Sequence, residues 1–552
     1  MKKIYLRKIA SVICFLLFVS SVFSQNPKAS VTLTTTNLPI VFIRTNAPII
    51  DSPDVVGTMK IIDNGYNVIN NVADPINSYN GKIGIQTRGS WTARYPQKGY
   101  SLTTIDAQGV DFDDTLLGMK KEHKWAMYAP YDDRTFMLNP LTFKLARDLG
   151  QWAPHTRFCE VMLDTTGSGY NYNGVYVAME KIKRDNNRVN ISKLDTNDNA
   201  GDSLSGGYII GIDSNINGPD SGFTTKHSPS LFIRYVYPSG DVITSAQKQY
   251  IQKYIDTVEN ALLANNFTDP INGYRKYLDE SSFIDFFIIQ ELSKNLDGFK
   301  RSAYMYKDKF SKGGKLIAGP QWDFNSAWGN SVYNQGILGV CGYDRPDGWV
   351  YQNTTCWIHI FGGNFPVPFY WERLHDDPEF VHHLKCRWMQ LRQTYLSKSY
   401  INGLIDSMQN YTSNAAVRQY QKWDFNYNYG EGVDSLKSWI SQRIDWMDAN
   451  MPGSCLDIGI AENSESPNSF FVYPNPATDV VHVNMNLTEG SNLSITFTDA
   501  LGRNLIAWKE QYYSIGNHSM SISTSNFASG IYYLKFQSAT STTVKKVVVT
   551  QN

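Results

Sequence analysis

The chain has 552 residues, and its 51 lysines and arginines balance its 51 aspartates and glutamates. A formal net charge of zero argues against a protein that binds nucleic acid or another polyanion, because such proteins usually carry a basic excess. The length predicts more than one domain, with enough apolar content for a large core.

The first 24 residues have the pattern of a secretory signal peptide. Basic residues precede an apolar run at 9–22, and Ser24 provides a small residue before an expected cleavage at Gln25. The apolar run is short for a membrane span, and no later stretch reaches about 18 apolar residues. We therefore expect an exported chain whose mature form has no membrane span.

Six cysteines are present, and Cys14 lies inside the predicted signal peptide. The others form an odd number, so at least one thiol of the exported chain is expected to stay unpaired. Cys341 and Cys356 bracket a loop rich in Gly, Asp and Asn, and we expect a disulfide between them. The cysteine spacing fits no zinc site.

Residues 30–455 contain both strand and helix patterns. Strands are predicted within 30–110 and 158–182, where apolar and polar residues alternate. The stretches with helical periodicity are 135–149, 245–264, 279–294, 369–408 and 431–450. This order predicts an α+β domain with a strand-rich first lobe and a helical second lobe.

The chain changes character after Cys455. Residues 456–469 are polar and contain Ser, Asn and Pro, which is typical of a linker. Residues 470–552 contain short alternating segments separated by turn residues, and this pattern predicts a small all-β sandwich. The expected organisation is therefore a signal peptide at 1–24, a large domain at 25–455, and a sandwich domain after the linker.

Two polar clusters mark residues 284–329 as the candidate site. Asn295 and Asp297 follow an apolar helical run, and Asp323 with Asn325 lies between two tryptophans. The segment between the clusters alternates around a Gly-Gly turn, which predicts a β-hairpin that brings both clusters to one end. Two carboxylates with amide neighbours suit a divalent cation, although each residue alone is equally typical of a turn.

Several segments resemble the CotH kinase family. The stretches NLDGF, YMYKD and GPQWDFNSAWG are similar to the family pattern N-x-D, an aromatic strand, and W-D-x-D-x-A-x-G. Further similar segments occur in the family's order at 84–102, 116–139, 158–184 and 206–213. The resemblance spans residues 30–455 and implies a two-lobed, atypical kinase-like fold.

The resemblance also implies a role for each candidate residue. Asp297 would orient the acceptor hydroxyl with support from Asn295, and Asp323 with Asn325 would hold Mg²⁺, or alternatively Mn²⁺. Residues of the first lobe would bind ATP. These are Lys98 and Arg88 for the phosphates, and Glu180, which would pair with Lys98 or bind the adenine edge beside Met179.

Two positions depart from the family pattern. Leu138 stands where the family has Arg before Asn139, so that phosphate contact is absent. Asn325 replaces the second Asp of W-D-x-D, and a neutral amide is expected to bind the cation less well than a carboxylate. No P-loop or kinase glycine loop is present, so the Arg-Gly-Ser turn at 88–90 would have to cradle the phosphates.

The C-terminal segment resembles the type A sorting domain of the type IX secretion system. Its landmarks are YPNPATD at 473–479, DALGR at 499–503, SGIYYLKF at 529–536 and the lysine pair at 545–546. The resemblance implies interaction with the type IX machinery and passage through the periplasm and the outer membrane. It also implies a secreted or cell-surface location.

Together the resemblances imply a secreted kinase that transfers the γ-phosphoryl group of ATP to Ser or Thr of an exported protein. The alternative is a non-catalytic pseudokinase that acts as an adhesin or as a scaffold for glycans or proteins. Leu138, Asn325 and the many tyrosines and tryptophans favour this alternative. Binding of nucleotide in the presence of Mg²⁺ distinguishes the two functions.

Overall fold

The computed structural model describes residues 30–89, 92–213, 221–330, 342–353, 365–455, 469–499, 502–538 and 542–550. The predicted signal peptide, most of the predicted linker and the predicted Cys341–Cys356 pair lie outside these residues. The chain forms two compact units, which divide between Cys455 and Leu456.

The larger unit begins with a closed β-barrel. Its seven strands have the order β10-β11-β9-β6-β5-β3-β2, and only the pairing of β10 with β2 is parallel. Alternate strand residues, such as Ile43, Ile61, Ile83 and Trp125, form a fully buried core. The strands of this part of the chain are β1 Thr35–Thr36, β2 Ile40–Thr45, β3 Val55–Ile62, β4 Asn70–Asn71, β5 Tyr79–Arg88, β6 Gly99–Ile105, β7 Asp114–Leu116, β8 Met119–Glu122, β9 Lys124–Tyr128, β10 Thr156–Asp164 and β11 Asn171–Glu180.

A second sheet of five antiparallel strands follows the barrel, in the order β13-β14-β12-β15-β16. The predicted hairpin is confirmed, because β15 and β16 pair with Met305 opposite Ala318. Gly313 and Gly314, in the turn, have φ angles of 96° and 63°, a conformation that glycine adopts without steric cost. The strands are β12 Tyr208–Ile212, β13 Gly222–Thr224, β14 Phe232–Tyr237, β15 Ala303–Lys307 and β16 Leu316–Ala318.

Helices cover the second sheet and form the second lobe. The stretch 369–408, expected to be helical, is divided because Asp377 caps a helix that starts at Pro378 and Ser397 caps the next. The helix at 280–293 is buried from Phe283 onward and lies in the centre of the core. The helices of the described residues are α1 Leu138–Asp148, α2 Gly201–Leu204, α3 Ser245–Leu263, α4 Glu280–Ser293, α5 Tyr370–His375, α6 Pro378–Arg392, α7 Lys398–Trp423 and α8 Tyr429–Asn450.

A disulfide joins Cys386 of α6 to Cys455 at the end of the larger unit. The sequence does not indicate this pair, because 69 residues separate the two cysteines. Cys159 of β10 is a buried free thiol, which confirms that one cysteine stays unpaired. Within the residues that the structure describes, no helix combines the length and the apolar character that a membrane span requires.

The smaller unit consists of a three-stranded sheet, β17-β18-β21, and a four-stranded sheet, β20-β19-β22-β23. Alternate residues of both sheets form one apolar core, which includes Val481, Ile495, Leu534 and Val547. The strands are β17 Ser469–Tyr473, β18 Val480–Leu487, β19 Ser491–Asp499, β20 Asn504–Tyr513, β21 Gly516–Ser523, β22 Gly530–Gln537 and β23 Thr542–Val549. This is the all-β sandwich that the sequence predicts.

Candidate functional site

Four chain segments meet at one edge of the second sheet. Ile212, the last residue of β12, is paired with Ala303, the first residue of β15, and β16 ends at the same edge. The residues after β12, before β15 and after β16 are therefore neighbours. Arg88, the last residue of β5, reaches this edge from the barrel, with its guanidinium 5.5 Å from the centroid of the Trp322 ring.

Asn295 joins the two polar clusters. Its Nδ2 donates to the backbone oxygen of Asp323 at 3.2 Å and to Oε1 of Gln290 at 3.1 Å. Its Oδ1 accepts from the backbone N–H of Asp297 at 3.2 Å. The amide therefore fixes both loops at once, as a supporting residue would.

Three carboxylates lie in the site. Burial, and then the negative charge of Asp323, raise the pKa of Asp297 to about 7, although Arg301 opposes the shift. Burial also raises the pKa of Asp323, against the opposing charges of Arg88 and Arg301. Asp213, directly after β12, adds a third negative charge to both groups. Oδ1 of Asp297 is buried, and no described residue forms a hydrogen bond with it.

Basic side chains surround these carboxylates. Burial lowers the pKa of Arg88, while the charge of Asp323 opposes the shift. Nη1 of Arg88 is buried without a hydrogen-bond partner among the described residues. Arg301 lies 3.7 Å from Asp213, measured from Nε to Oδ1. Burial, and then the charge of Arg88, lower the pKa of Lys181 to about 8, so a second cation lies near Arg88.

The loops that carry the site have an unusual backbone. Several non-glycine residues adopt positive φ angles, and such residues cost about 1–3 kcal/mol each unless the surrounding fold holds them. They are Lys294 (47°), Phe299 (67°), Ser302 (48°), Asp323 (65°) and Trp328 (58°). Strained residues of this kind concentrate where a loop has to present side chains in one fixed geometry.

Helix α1 holds the second loop in place. Oδ1 of Asn139 accepts from the backbone N–H of Phe324 at 2.9 Å, and Thr142 accepts from Nε1 of Trp328 at 2.8 Å. The side chain of Leu138 is buried in the core, so the position where the family has Arg contributes packing here. Asp133 accepts the backbone N–H of Leu138, the first residue of this helix.

Asn325 contacts a residue that the sequence did not single out. Its Nδ2 donates to Oδ2 of Asp132 at 3.2 Å. Nδ2 of Asn330 donates to the backbone oxygens of both residues, at 2.8 Å to Asn325 and 3.1 Å to Asp132. The segment after β9 is thereby attached to the loop after β16.

The other first-lobe candidates have different partners. The ammonium of Lys98 donates to the backbone oxygen of Ala93 at 2.6 Å. The buried carboxylate of Glu180 pairs with Arg188 at 2.7 Å and with His155 at 3.0 Å. The expected ion pair between Lys98 and Glu180 is therefore absent from the described residues.

Met179 has no free backbone edge for an adenine ring. It is paired with Thr156 of β10 on one side and with Ala126 of β9 on the other. Its side chain is buried in the main core of the larger unit. The structure thus gives Met179 and Glu180 structural partners within the barrel.

The sheet edge carries the types of side chain that a divalent cation bound to phosphates would need, although the oxygens of its three carboxylates do not all lie within 4.8 Å of one another. Asp213, Asp297 and Asp323 offer the hard oxygen ligands that Mg²⁺ and Mn²⁺ prefer, and Asn325 offers an amide oxygen. The unpartnered Oδ1 of Asp297 and Nη1 of Arg88 are buried polar atoms that a ligand would satisfy. Cationic side chains beside carboxylates suit a phosphorylated ligand and its metal ion.

Sequence reasoning missed four residues at or beside this edge, which are Asp132, Lys181, Asp213 and Arg301. Asp213 ends the GGYIIGID segment and Lys181 follows Glu180, so both lie in segments that carry the family resemblance. A charged residue directly after a buried strand was the available signal. Asp132 and Asp133 are adjacent in sequence, so sequence alone does not show which of them contacts Asn325. In the structure, Asp133 bonds the first residue of α1 and Asp132 bonds Asn325.

Comparisons with known proteins agree with this organisation. The sequence pattern of a secretion system C-terminal sorting domain matches residues 471–550, so the chain is destined for the cell surface or for secretion and interacts with the type IX machinery. No curated protein matches the chain.

Among solved structures, the twitchin kinase region from C. elegans is 12% identical and has a TM-score of 0.15. That alignment covers 96% of this chain and 100% of the other, and the score is too low to indicate a shared fold. The pattern of the family described as CotH kinase protein matches residues 85–447, which include every candidate site residue. Because this match covers more than half of the sequence, the chain belongs to the CotH kinase family.

Proposed function

We propose that the chain is a secreted, atypical protein kinase that transfers the γ-phosphoryl group of ATP to Ser or Thr of an exported protein. The observation that supports this most is the pair Asp297 and Asp323, which lie together beside Arg88 and Arg301. One of these carboxylates has a buried oxygen that no described residue satisfies. Kinases need one carboxylate for the acceptor and another for the metal ion.

Asp297 is assigned to the acceptor hydroxyl. Its Oδ1 is unpartnered among the described residues, so it is available to accept the hydroxyl proton. Asn295 holds the Asp297 backbone, and this fixes the direction of the carboxylate. The acceptor oxygen forms the new bond to the γ-phosphorus, the bond to the β-γ bridging oxygen breaks, and ADP leaves.

Asp323 and Asn325 would hold Mg²⁺ or Mn²⁺, with Asp213 close enough to add negative charge. A bound Mg²⁺ neutralises charge on the phosphate oxygens during transfer. Asp323 is suited to this role because Asn295 and Asn139 both hold the peptide group between Asp323 and Phe324.

Arg88 and Lys181 are assigned to the phosphates of ATP. Arg88 lies beside Asp323 and Lys181 lies near Arg88, whereas the ammonium of Lys98 is held by the backbone oxygen of Ala93. Lys98 remains a candidate for an outer phosphate contact. Glu180 would act indirectly, because its pairing with Arg188 and His155 fixes the strand that leads to Lys181.

The full-length chain, incubated with labelled ATP, Mg²⁺ and candidate exported proteins, tests this proposal. We expect label on Ser or Thr of an exported protein or of the chain itself, and no label with Asp297→Asn. If wild type transfers no phosphate under any metal condition, the kinase function is wrong.

A non-catalytic scaffold is the second candidate, and two observations favour it. The Lys98–Glu180 ion pair is absent, and the amide Asn325 stands at a position where the family carries a carboxylate. A scaffold would bind its glycan or protein partner equally well in wild type and in Asp297→Asn. Nucleotide binding that depends on Mg²⁺ and on Asp323 would contradict it.

A further inference from the structure

Asp132 is a buried carboxylate that the kinase assignment leaves without a role. Its side chain is only 2% exposed. Oδ2 accepts from Nδ2 of Asn325, and it lies 3.5 Å from the hydroxyl of Tyr95. Oδ1 is buried and has no hydrogen-bond partner among the described residues. A buried carboxylate with one unsatisfied oxygen is costly for the fold, so its presence calls for a function.

The neighbouring Asp133 shows that helix capping does not account for Asp132. Asp133 accepts the backbone N–H groups of Thr135, Phe136 and Leu138, and it also accepts the Thr135 hydroxyl. These bonds satisfy N–H groups of the turn before α1 and of its first residue, Leu138. Asp132 receives none of them and instead faces the loop that carries Asp323.

The contact between Asp132 and Asn325 determines the orientation of the amide. Nδ2 of Asn325 donates to Oδ2 of Asp132, so the NH₂ group of Asn325 faces Asp132. The amide oxygen of Asn325 then lies on the opposite side of its side chain. Asn330 holds the two backbones together and limits relative movement.

A tyrosine near this pair, Tyr128, is influenced by the charges of both Asp132 and Asp323. Tyr128, at the end of β9, has a buried hydroxyl without a partner among the described residues. Burial, and then the charges of Asp132, Asp133 and Asp323, raise its pKa. Tyr128 therefore lies within electrostatic reach of both Asp132 and Asp323.

We propose that Asp132 is a positioning residue of the cation site, which acts through Asn325. This inference rests on the proposed function, because Asp323 and Asn325 are the assigned cation ligands. Asp132 holds the NH₂ group of Asn325 and so keeps its amide oxygen available to the cation. In carboxylate–ligand–metal arrangements, such outer partners raise metal affinity by about 10- to 100-fold.

The pair also predicts that the effect of Asn325→Asp depends on residue 132. Beside Asp132, a new carboxylate would stand 3.2 Å from an existing one, and two such groups cannot both ionise freely. Asn325→Asp alone is therefore expected to give no gain in cation affinity. When Asn325→Asp is combined with Asp132→Asn, the carboxylate and the amide exchange positions. The affinity for the cation is then expected to recover.

Titration of the full-length chain with Mn²⁺ alone tests the inference. The variants are Asp132→Asn, Asn325→Asp, their double mutant and Asp323→Asn, with affinity from calorimetry and bound Mn²⁺ counted by electron paramagnetic resonance. We expect Asp132→Asn to weaken binding about 10- to 100-fold and the double mutant to restore most of that loss. A merely structural role for Asp132 would not be rescued by exchanging the two groups.

Two results would overturn the inference. The first is that Asp132→Asn binds Mn²⁺ like wild type while Asp323→Asn does not bind it. The cation site would then exist without depending on Asp132. The second is that Asn325→Asp changes the Mn²⁺ affinity equally whether or not Asp132→Asn is also present. If Asp323→Asn binds Mn²⁺ like wild type, the cation site itself is wrong and the inference falls with it.

Thermal unfolding of each variant controls for loss of the fold. If Asp132→Asn alone does not fold, the double mutant is compared with Asn325→Asp, because these two variants differ only at residue 132. We expect the double mutant to bind Mn²⁺ more tightly than Asn325→Asp, and equal affinity would count against the inference.

Discussion

Two groups of buried charges in the larger unit differ in how completely they are paired. Glu291 accepts from the backbone N–H groups of Val350 and Tyr351 at 2.9 Å each, and it pairs with Arg443 at 3.1 Å. Arg443 uses its remaining N–H groups on carbonyl oxygens of Glu291 and of the 342–353 segment. We call this the paired group.

The charges at the edge of the second sheet form the opposite case. Asp297 and Asp323 repel each other, and both Asp297 and Arg88 have buried polar atoms without partners among the described residues. We call this the open group. The difference indicates that fully paired buried charges hold the fold together. Incompletely paired ones are retained for a ligand, at a cost to stability.

The largest effect is expected from Asp323→Asn. Asn tolerates the φ angle of 65° at this position better than Ala does, so the change removes charge without straining the backbone. Mg²⁺-dependent ATP binding should be lost, because the main cation ligand is removed. Stability should stay equal or rise, because the repulsion of Asp297 is also removed. Calorimetric titration and urea unfolding measure the two quantities, and wild-type ATP affinity would remove Asp323 from the site.

Asp297→Asn should affect the reaction and leave binding nearly unchanged. Phosphoryl transfer should fall about 10²-fold or more, the lower range for loss of a positioned base. ATP affinity should stay within about fivefold of wild type, because the base acts mainly in the transition state. Transfer rate and ATP affinity are measured on the same preparation. A parallel loss of both would assign Asp297 to the cation instead.

A substitution in the paired group should lower the stability of the fold, whereas a substitution in the open group should not. Glu291→Ala leaves the fully buried Arg443 without its carboxylate partner. We expect a loss of about 3–5 kcal/mol of folding free energy, the usual cost of breaking a buried ion pair. Urea unfolding measures it, with Asp323→Asn as the matched control from the open group. A loss of similar size in both variants would remove the distinction between the two groups.

The hairpin and its two polar clusters could be predicted from sequence, because a local turn and strand alternation determine them. The proximity of Asn295, Asp297 and Asp323 could be predicted for this reason. Asp213 was not found, because its proximity depends on the order of strands in the sheet and not on nearby sequence.

The positions of the first-lobe side chains could not be predicted, for the same reason. Arg88 and Lys98 lie at the paired ends of one turn, and which of their side chains faces the carboxylates depends on the closure of the barrel. The same closure decides which of the adjacent residues Glu180 and Lys181 lies near Arg88. Strand alternation predicts that adjacent side chains lie on opposite faces, but it does not indicate which face carries the site.

The smallest effects concern the two lysines of the first lobe. Lys181→Ala should weaken ATP binding about tenfold or more, because a hydrogen bond between charged groups contributes about 1.5–3 kcal/mol. Lys98→Ala should change affinity by less than about fivefold, the range for an exposed charge pair, since its ammonium is held by Ala93. The two variants remove the same side chain and therefore control for each other. ATP titration in Mg²⁺ gives both affinities, and a larger loss in Lys98→Ala would return the phosphate contact to that residue. In that case Lys98 would belong to the open group. The position of Lys181 near Arg88 would then not be explained by phosphate binding.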